Sequence, residues 1–529
     1  MSNKFFSNRF NFIFIISLAF VISLSLDYNQ RVIEAGLILA NQIEFPSPLS
    51  PFYLYIKNSW TLLNQFAAGL FILNFSQNFI SFLFIFISTL MFGLGIYFTS
   101  KAICQNYLLS LFITIYVLLL GKNFGDTDYP TLFYSQETYS MISLSLSTLI
   151  FGLIFNSNLK LASFLSIILV AIHPLIGIWV LGINFLVFLI NLNKIELKQL
   201  IASIFSGFLL IILSFILFYS NADLQYSYQI NDYQDYINFW DGHRSQNEIF
   251  HYEYIIKTFL LIAVLISIFK FNPTKYVKMG SQIILLSILI SLPIYLLFKN
   301  FYNLTPAFLT ETSIPSRFLI QHSIVGWPIL ISGALLILKR LNIFYEKKYS
   351  LIIVSVLTIH LLMQHNSIMA KFNVPFSSFK NSTEQKSAVP TFFDKHNGYV
   401  LTNNSLSRLV LHDLKKPILV DIGQLDFLPY HKYLADEVKE IIQDVYKVDF
   451  KKPPILNAPY LDDITIHNNF SKISLDEWKQ ISEKFNITFI VLPEEVKMML
   501  TPYLNFNNLN VYFSSDELTL ENFQKIANI

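Results

Sequence analysis

The chain has 529 residues, of which 53% are hydrophobic and 14% are charged, and its mean hydropathy is +0.50. This composition excludes a soluble globular protein of this length and indicates that much of the chain faces lipid. The formal net charge of +2 excludes the strongly basic balance of a nucleic-acid-binding protein, so no nucleic-acid partner is expected.

The charged residues divide the chain into two parts. Residues 367–529 hold 37 of the 72 Asp, Glu, Lys and Arg residues, and residues 1–366 hold the other 35. We therefore predict an α-helical polytopic membrane domain over 1–366 and a soluble α/β domain over 367–529. The only cysteine, Cys104, leaves no intrachain disulfide to form.

The predicted membrane spans begin with the apolar run 10–26. This run follows Lys4 and Arg9 and has no small-x-small cleavage site after it, which predicts an uncleaved signal-anchor helix. Other apolar runs are also long enough to cross a hydrocarbon core of about 30 Å. They lie at 78–98, 104–120, 139–155, 199–219, 254–270, 280–298, 321–338 and 350–366.

Two further segments are ambiguous. The segment 59–74 is about four turns long and contains two polar amides, so we predict that it lies along the membrane interface. The segment 161–191 would be about 46 Å long as one straight helix, and its His173-Pro174 pair predicts a helical hairpin instead. These choices give about eleven spans. An alternative, in which 59–74 spans and 161–191 is a single kinked helix, also gives eleven.

The basic residues predict the orientation of the spans. With the N-terminus in the cytoplasm, the cytoplasmic loops carry thirteen Lys and Arg residues and the external loops carry six. This asymmetry follows the positive-inside rule and predicts a cytoplasmic (inner) membrane protein whose C-terminal domain is periplasmic or extracellular. The predicted external loops are 27–77, 121–138, 220–253 and 299–320.

The predicted external side collects most of the polar side chains of the membrane domain. Each loop alone could be an ordinary solvated connection, but together they offer carboxylates, imidazoles, guanidinium groups and aromatic rings at one interface. Such groups suit a polar head group carried on a lipid, because arginine binds phosphate and a carboxylate can accept a proton. The candidate residues are Asp27, Arg31, Asp126, Asp128, Glu137, His173, Asp241, His243, Arg244, Arg317 and His322.

The stretches "LDYNQRVIEAGLILAN" and "PFYLYIKNSWTLLNQFAAGLFI" resemble the first loop and juxtamembrane helices of the GT-C superfamily of polytopic glycosyltransferases. The stretch from "ETYSMISLSLS" to "AIHPLIGIWVL" is similar to the central helices of that superfamily. It also resembles uncharacterised bacterial multi-pass membrane proteins with a His-Pro pair at the same place. The resemblance covers most of residues 1–366 and implies a GT-C-like fold.

The resemblance also implies functional roles. Asp27 matches the position of the catalytic acid, and Arg31 and Arg317 are implied to hold the phosphate of a polyprenyl-phosphate sugar. GT-C catalytic loops often carry paired acids, whereas Asp27 is followed by Tyr28 and the next acid is Glu34. The missing neighbour leaves a second function class open, a non-catalytic scaffold or transporter-like component of envelope polysaccharide assembly.

No nucleotide-binding motif or metal-spaced Cys/His cluster occurs in the sequence, so no cofactor is predicted with certainty. The nearest approach to a divalent-metal site combines Asp126 and Asp128 with His243 and His251. In the C-terminal domain, β-rich runs at 398–404, 416–423, 487–495 and 509–515 predict strands. Ser474 and Glu477 predict a capping box at the start of a helix.

Overall fold

A computed structural model describes most of the chain. The described residues are 2–25, 31–120, 139–191, 197–219, 231–241, 252–301, 324–340, 346–366, 368, 397–506 and 508–513. The molecule is mostly helical and carries a small sheet near its C-terminal end.

Four helices open the described structure, and three of them are short. They are α1 (Ser2–Leu24), α2 (Arg31–Leu39), α3 (Pro51–Lys57) and α4 (Leu62–Ile72). The side chains of Ser50 and Thr61 accept backbone N–H groups at the starts of α3 and α4, which explains where these helices begin. At about 16 Å, α4 is too short to cross a bilayer, and it packs on α2 where Gly36 faces Ala67. The length of α4 agrees with the interfacial position predicted for 59–74.

Eleven more helices follow among the described residues before the sheet begins. They are α5 (Gln77–Cys104), α6 (Tyr107–Leu120), α7 (Tyr139–Phe155), α8 (Leu159–Ile172), α9 (Pro174–Ile190), α10 (Leu197–Tyr219), α11 (Asn231–Phe239), α12 (Tyr252–Phe271), α13 (Lys275–Asn300), α14 (Gly326–Arg340) and α15 (Glu346–Met363).

Three stretches within these helices are long and apolar enough to cross a membrane, and they indicate membrane association. They are Gln77–Cys104, Leu200–Tyr219 and Lys275–Leu297. Several other described helices are apolar but shorter. Each predicted span coincides with a helix, whereas the predicted number of about eleven spans is not confirmed by these lengths.

Small residues bring α5 and α7 into backbone contact. A Cβ atom built on Gly95 would lie 2.4 Å from the backbone of Thr148, and one built on Gly152 would lie 2.5 Å from the carbonyl oxygen of Gly95. The hydroxyls of Ser88 and Ser145 share a hydrogen bond of 2.9 Å across the same contact. Small and hydroxyl-bearing residues serve this purpose in membranes, where burial of apolar surface does not drive helices together.

The predicted hairpin at His173-Pro174 is confirmed. Helix α8 ends before His173 and α9 begins at Pro174, so the chain breaks at this pair. The amide of Asn184 donates to the Ser166 hydroxyl at 3.0 Å, although a straight helix would place these residues about 27 Å apart. The two helices therefore run back along each other.

Two contacts between helix ends join segments that are predicted to lie on the same side of the membrane. At one side, the Thr61 hydroxyl donates to the carbonyl of Ile172 at the hairpin tip, at 3.0 Å. At the other side, the Asn272 amide donates to the carbonyl of Ile103 at 3.4 Å. Segments predicted to share a side of the membrane are thus in contact, and the C-terminal domain lies on the side of the hairpin tip.

In its described residues, the C-terminal domain combines four short α-helices with a four-stranded mixed sheet. Its strand order is β1-β2-β4-β3, with β1 parallel to β2 and the other neighbours antiparallel. Its elements are β1 (Tyr399–Thr402), α16 (Ser407–His412), α17 (Ala435–Asp444), α18 (Asp463–Phe470), α19 (Leu475–Phe485), β2 (Ile487–Pro493), β3 (Leu504–Phe506) and β4 (Leu509–Phe513).

Three of the four predicted strands are confirmed as β1, β2 and β4, and the capping box of Ser474 and Glu477 is present. The strand predicted at 416–423 is wrong, because only one bridge joins this segment to β1, between Val400 and Ile418. Pro417 has no N–H group and cannot donate to a sheet ladder, which limits the pairing. The predicted domain boundary at 366/367 falls beside residues outside the described ranges.

The core of the C-terminal domain includes residues from other parts of the chain. Tyr236 and Trp240, in and just after α11, are fully buried in it, and Leu54 of α3 joins them. The Trp240 indole N–H donates to the carbonyl of Phe450 at 2.8 Å. Helix α11 is therefore part of the packing of the domain.

The α5–α7 contact leads to a test of helix packing. We expect Gly95→Ala to destabilise the protein by about 1–3 kcal/mol or more, because its new methyl group would overlap the backbone of α7. Thermal unfolding in detergent measures the effect. Gly182→Ala is the matched control, since nothing lies within 4 Å of a Cβ atom there. Equal unfolding temperatures for the two variants would contradict this packing.

Candidate functional site

Helix α2 presents two opposite charges on one face to the C-terminal domain. Arg31 and Glu34 are three residues apart, so their side chains are neighbours on the helix surface. Arg31 Nη1 donates to Asp426 Oδ1 at 3.3 Å. Glu34 Oε1 lies 3.3 Å from His412 Nε2 and 4.0 Å from Arg408 Nε. The guanidinium group of Arg31 thus contacts a carboxylate. The carboxylate of Glu34 lies beside two basic side chains of α16.

These contacts belong to a larger group of charged side chains that we call the interface cluster. It is buried at its base, where the exposed fractions of Glu34, Asp421 and His412 are 3%, 6% and 6%. It reaches solvent at its edge, where the Asp426 side chain is 40% exposed. The members of the interface cluster are Arg31, Glu34, Arg408, His412, Asp421 and Asp426.

The His412 ring is held between two membrane-domain residues. Its Nδ1 accepts from the side-chain amide of Gln77, the first residue of α5, at 2.9 Å. In the neutral ring the proton is therefore on Nε2, which lies 3.3 Å from Glu34 Oε1 and makes no hydrogen bond among the described residues. His412 links the start of α5 to α2 through one ring.

The Asp421 carboxyl is the most strongly perturbed acid of the interface cluster. Burial, and after it repulsion from Glu34, raises the pKa of Asp421 from 3.8 to about 7. Attraction to Arg31 and a hydrogen bond from the Gly423 N–H, at 3.2 Å, oppose this rise without cancelling it. Near pH 7, Asp421 is therefore partly protonated.

Arg31 is surrounded by acidic and aromatic groups. Burial lowers its pKa, but attraction to Asp426 and then to Tyr55 outweighs burial, so the net shift is upward. Its Nε is buried and has no hydrogen-bond acceptor among the described residues. Arg31 thus carries one buried donor that has no partner among the described residues.

An aromatic wall closes one flank of the interface cluster. The Tyr55 ring of α3 stacks on Phe427 with centroids 4.9 Å apart and meets the His431 ring edge-on at 5.3 Å. Burial raises the pKa of Tyr55 well above 10, so its hydroxyl stays neutral. The wall joins α3 to the segment that carries Asp426.

A serine and a histidine also meet beside this wall, but their arrangement is structural. The Ser59 hydroxyl lies 2.9 Å from His431 Nε2 and donates its own proton to the Tyr55 carbonyl at 2.6 Å. Ser59 therefore accepts from the ring instead of giving it a proton, which excludes His431 as a base for Ser59 in this geometry. Burial lowers the pKa of His431 to about 4, so the ring is neutral at physiological pH.

Three predicted site residues lie in the described parts of the chain. Arg31 is in the interface cluster. His173 is half-buried and accepts the Ile176 N–H at 3.5 Å, as a capping residue of α9 does. Asp241 is buried at the end of α11. The structure does not bring these three together by any described contact. The others lie outside the described residues: Asp27, Asp126, Asp128, Glu137, His243, Arg244, Arg317 and His322.

Sequence reasoning missed five members of the interface cluster. One signal was present, because Asp421 follows an apolar run and precedes Gly423, the kind of turn at which functional acids occur. Nothing in the sequence pairs a residue of α2 with residues of α16. The missed residues are Glu34, Arg408, His412, Asp421 and Asp426.

Comparison with known proteins identifies no relative, because no family model and no curated protein matches the chain. Among the described residues, no group of three or more His, Cys, Asp or Glu side chains could hold a metal ion. The nearest approach to a divalent-metal site lies outside the described ranges, since it combines Asp126, Asp128, His243 and His251. The interface cluster is therefore the basis for a functional argument.

Asp421→Asn should change how stability depends on pH. The unfolded chain releases this proton near pH 3.8 and the folded chain near pH 7, so the folded state loses stability as the pH rises between these values. The variant removes this loss, and we expect it to be more stable than the wild type by roughly 1–4 kcal/mol at pH 8, with little difference at pH 4.

Unfolding temperatures of the purified proteins across pH 4–8 measure this effect. Asp476→Asn is the control, because Asp476 is exposed in the first turn of α19. Curves for Asp421→Asn and wild type that stay parallel over the whole range would contradict the assignment.

Proposed function

We propose that the protein is a membrane glycosyltransferase-like enzyme. In this proposal it transfers a sugar from a polyprenyl-phosphate donor to a lipid or glycan acceptor on the outer face of the cytoplasmic membrane. The observation that supports it best is the interface cluster, which places arginines and carboxyl groups between an interfacial helix and the C-terminal domain.

The phosphate of the donor is assigned to Arg31. The guanidinium fork matches phosphate geometry, and Arg31 Nε has no described acceptor. Arg31 also begins α2, where the free N–H groups of the first turn favour an anion. A lipid-linked phosphate lies at the membrane surface, which suits a site on a short interfacial helix.

Proton transfer is assigned to Asp27. In the proposed reaction the acceptor oxygen bonds to the anomeric carbon, and the bond from that carbon to the phosphate oxygen breaks. The acceptor proton passes to the Asp27 carboxylate, and polyprenyl phosphate leaves. Asp421 contributes indirectly, because its protonated form reduces the negative charge beside the incoming phosphate.

The proposal includes the predicted topology of about eleven spans with a cytoplasmic N-terminus. The contact between the hairpin tip and Thr61 supports a common side for the interfacial helices and the hairpin. The contact between Gln77 and His412 supports the same side for the C-terminal domain. Asp27 and Arg317 fall on this side in the predicted topology.

A second candidate function is a non-catalytic scaffold in envelope polysaccharide assembly. The observation that favours it is the pairing of opposite charges across the interface, Arg31 with Asp426 and Glu34 with Arg408. In a scaffold, the sole role of this pairing would be to hold the C-terminal domain in place for protein partners.

Asp27→Asn should abolish sugar transfer while leaving the fold intact. The amide keeps the size of the side chain and removes the proton acceptor, and general-base assistance is typically worth about 10²–10⁴-fold in rate. Arg31→Ala should instead raise the donor concentration needed for half-maximal rate, because it removes the phosphate partner. Purified protein in lipid vesicles with a polyprenyl-phosphate sugar provides the assay.

Lys57→Ala is a matched control, since Lys57 lies on α3 over the Tyr53 ring and outside the interface cluster. A folded Asp27→Asn variant with wild-type turnover would refute the catalytic assignment. A wild-type protein that neither binds nor consumes such a donor would favour the scaffold.

The orientation has its own test. A reporter active only in the cytoplasm should be silent when fused after Ile529, because Lys347 and Lys348 hold the start of the last span inside. The same reporter fused after Lys348 should be active. Activity after Ile529 would overturn the orientation.

A further inference from the structure

The loop 451–456, with the sequence KKPPIL, exposes two aliphatic side chains on the C-terminal domain. Ile455 and Leu456 are 40% and 61% exposed. Their flanking neighbours Phe450 and Leu461 are fully buried, so the loop leaves the core and returns to it. Two lysines precede the aliphatic pair, and Lys452 is exposed.

The loop is held firmly at its base. The Phe450 carbonyl accepts from the Trp240 indole at 2.8 Å, and the Asn457 N–H donates to the Phe239 carbonyl at 2.9 Å. Lys451 pairs with Asp235 of α11 at 3.3 Å. Pro453 and Pro454 further limit the backbone of the loop. Ile455 and Leu456 are thus carried by a constrained loop.

The partner of this loop can be inferred from where its base is fixed. Helix α11 lies in sequence between α10 and α12, both of which are rich in exposed apolar side chains. Contacts also lead from α11 to the apolar helix α10. Lys432 lies over the Tyr233 ring of α11 at 4.8 Å, and the adjacent Tyr433 hydroxyl accepts from Asn58 at 2.9 Å. The Trp60 indole, two residues further on, donates to Ser214 of α10 at 3.1 Å.

We propose that loop 451–456 inserts Ile455 and Leu456 into the outer leaflet of an anionic bilayer, where Lys452 meets the phosphate head groups. Basic residues beside exposed aliphatic ones are the combination that binds such a surface. Two side chains on a tight loop offer far less area than a stable protein interface, which needs roughly 800 Å² on each partner. Lipid is therefore favoured over a protein partner. The proposal rests on the proposed orientation of the chain and not on the glycosyltransferase assignment.

The full-length protein in lipid nanodiscs allows a direct test. Cys104→Ser removes the only cysteine, and Leu456→Cys then carries an environment-sensitive fluorophore. In nanodiscs that contain phosphatidylglycerol, we expect strong quenching of this fluorophore by lipids with a shallow spin label and little quenching by aqueous iodide. Leu475→Cys is the matched control, because Leu475 is 42% exposed in the same domain. We expect it to show the opposite pattern.

Lys452→Glu tests the electrostatic part. We expect it to reduce lipid quenching at position 456 at least twofold in anionic nanodiscs and to have little effect in zwitterionic ones. Iodide quenching at 456 equal to that at 475 would overturn the proposal. Equal lipid quenching at both positions would also overturn it. Protection of 456 from both quenchers would replace lipid with a second protein chain as the occupant.

Discussion

The buried carboxylate of Glu34 constrains the arrangement of the whole molecule. A charge removed from water must be paired, and removing one partner of such a pair typically costs about 3–5 kcal/mol. Its charged partner Arg408, at 4.0 Å, and the neighbouring His412 ring, at 3.3 Å, both come from near the other end of the chain. The burial of the Glu34 carboxylate on α2 therefore requires the C-terminal domain to be docked on this helix.

This docking extends into the membrane-facing helices through short steps. His412 accepts a hydrogen bond from Gln77, and this bond connects the C-terminal domain to α5. Helix α2 contacts α4 closely at Gly36, and Gln65 of α4 donates to the carbonyl of Ser214 in α10 at 2.9 Å. A chain of packed and hydrogen-bonded groups thus joins the C-terminal domain to two long apolar helices. A change in the interface cluster would therefore affect the contacts of α5 and α10.

Local features of the fold could be predicted from the sequence, and distant pairings could not. The break at His173-Pro174 and the capping box at Ser474 were predictable, because proline and the Ser-x-x-Glu pattern act on their own neighbours. The false strand at 416–423 had the right apolar pattern, but Pro417 limits its pairing with β1. Arg31 was a predictable candidate from its place in the first loop. Its partner Asp426 was not, since no pattern in one sequence indicates which distant residues meet.

The charge balance of the interface cluster bears on how a ligand could enter it. Its carboxyl groups outnumber its guanidinium groups by one, and the raised pKa of Asp421 restores the balance by keeping a proton there near neutrality. A phosphate approaching Arg31 would compete with Asp426, whose side chain is the most exposed acid of the cluster. The Glu34 carboxylate, in contrast, is buried beside Arg408 and His412. Exchange is therefore favoured at the solvent edge, while the pairs at the base keep the C-terminal domain docked. Under the proposed function, one cluster would serve both ligand binding and domain attachment, and the two candidate functions would differ in whether a donor occupies that edge.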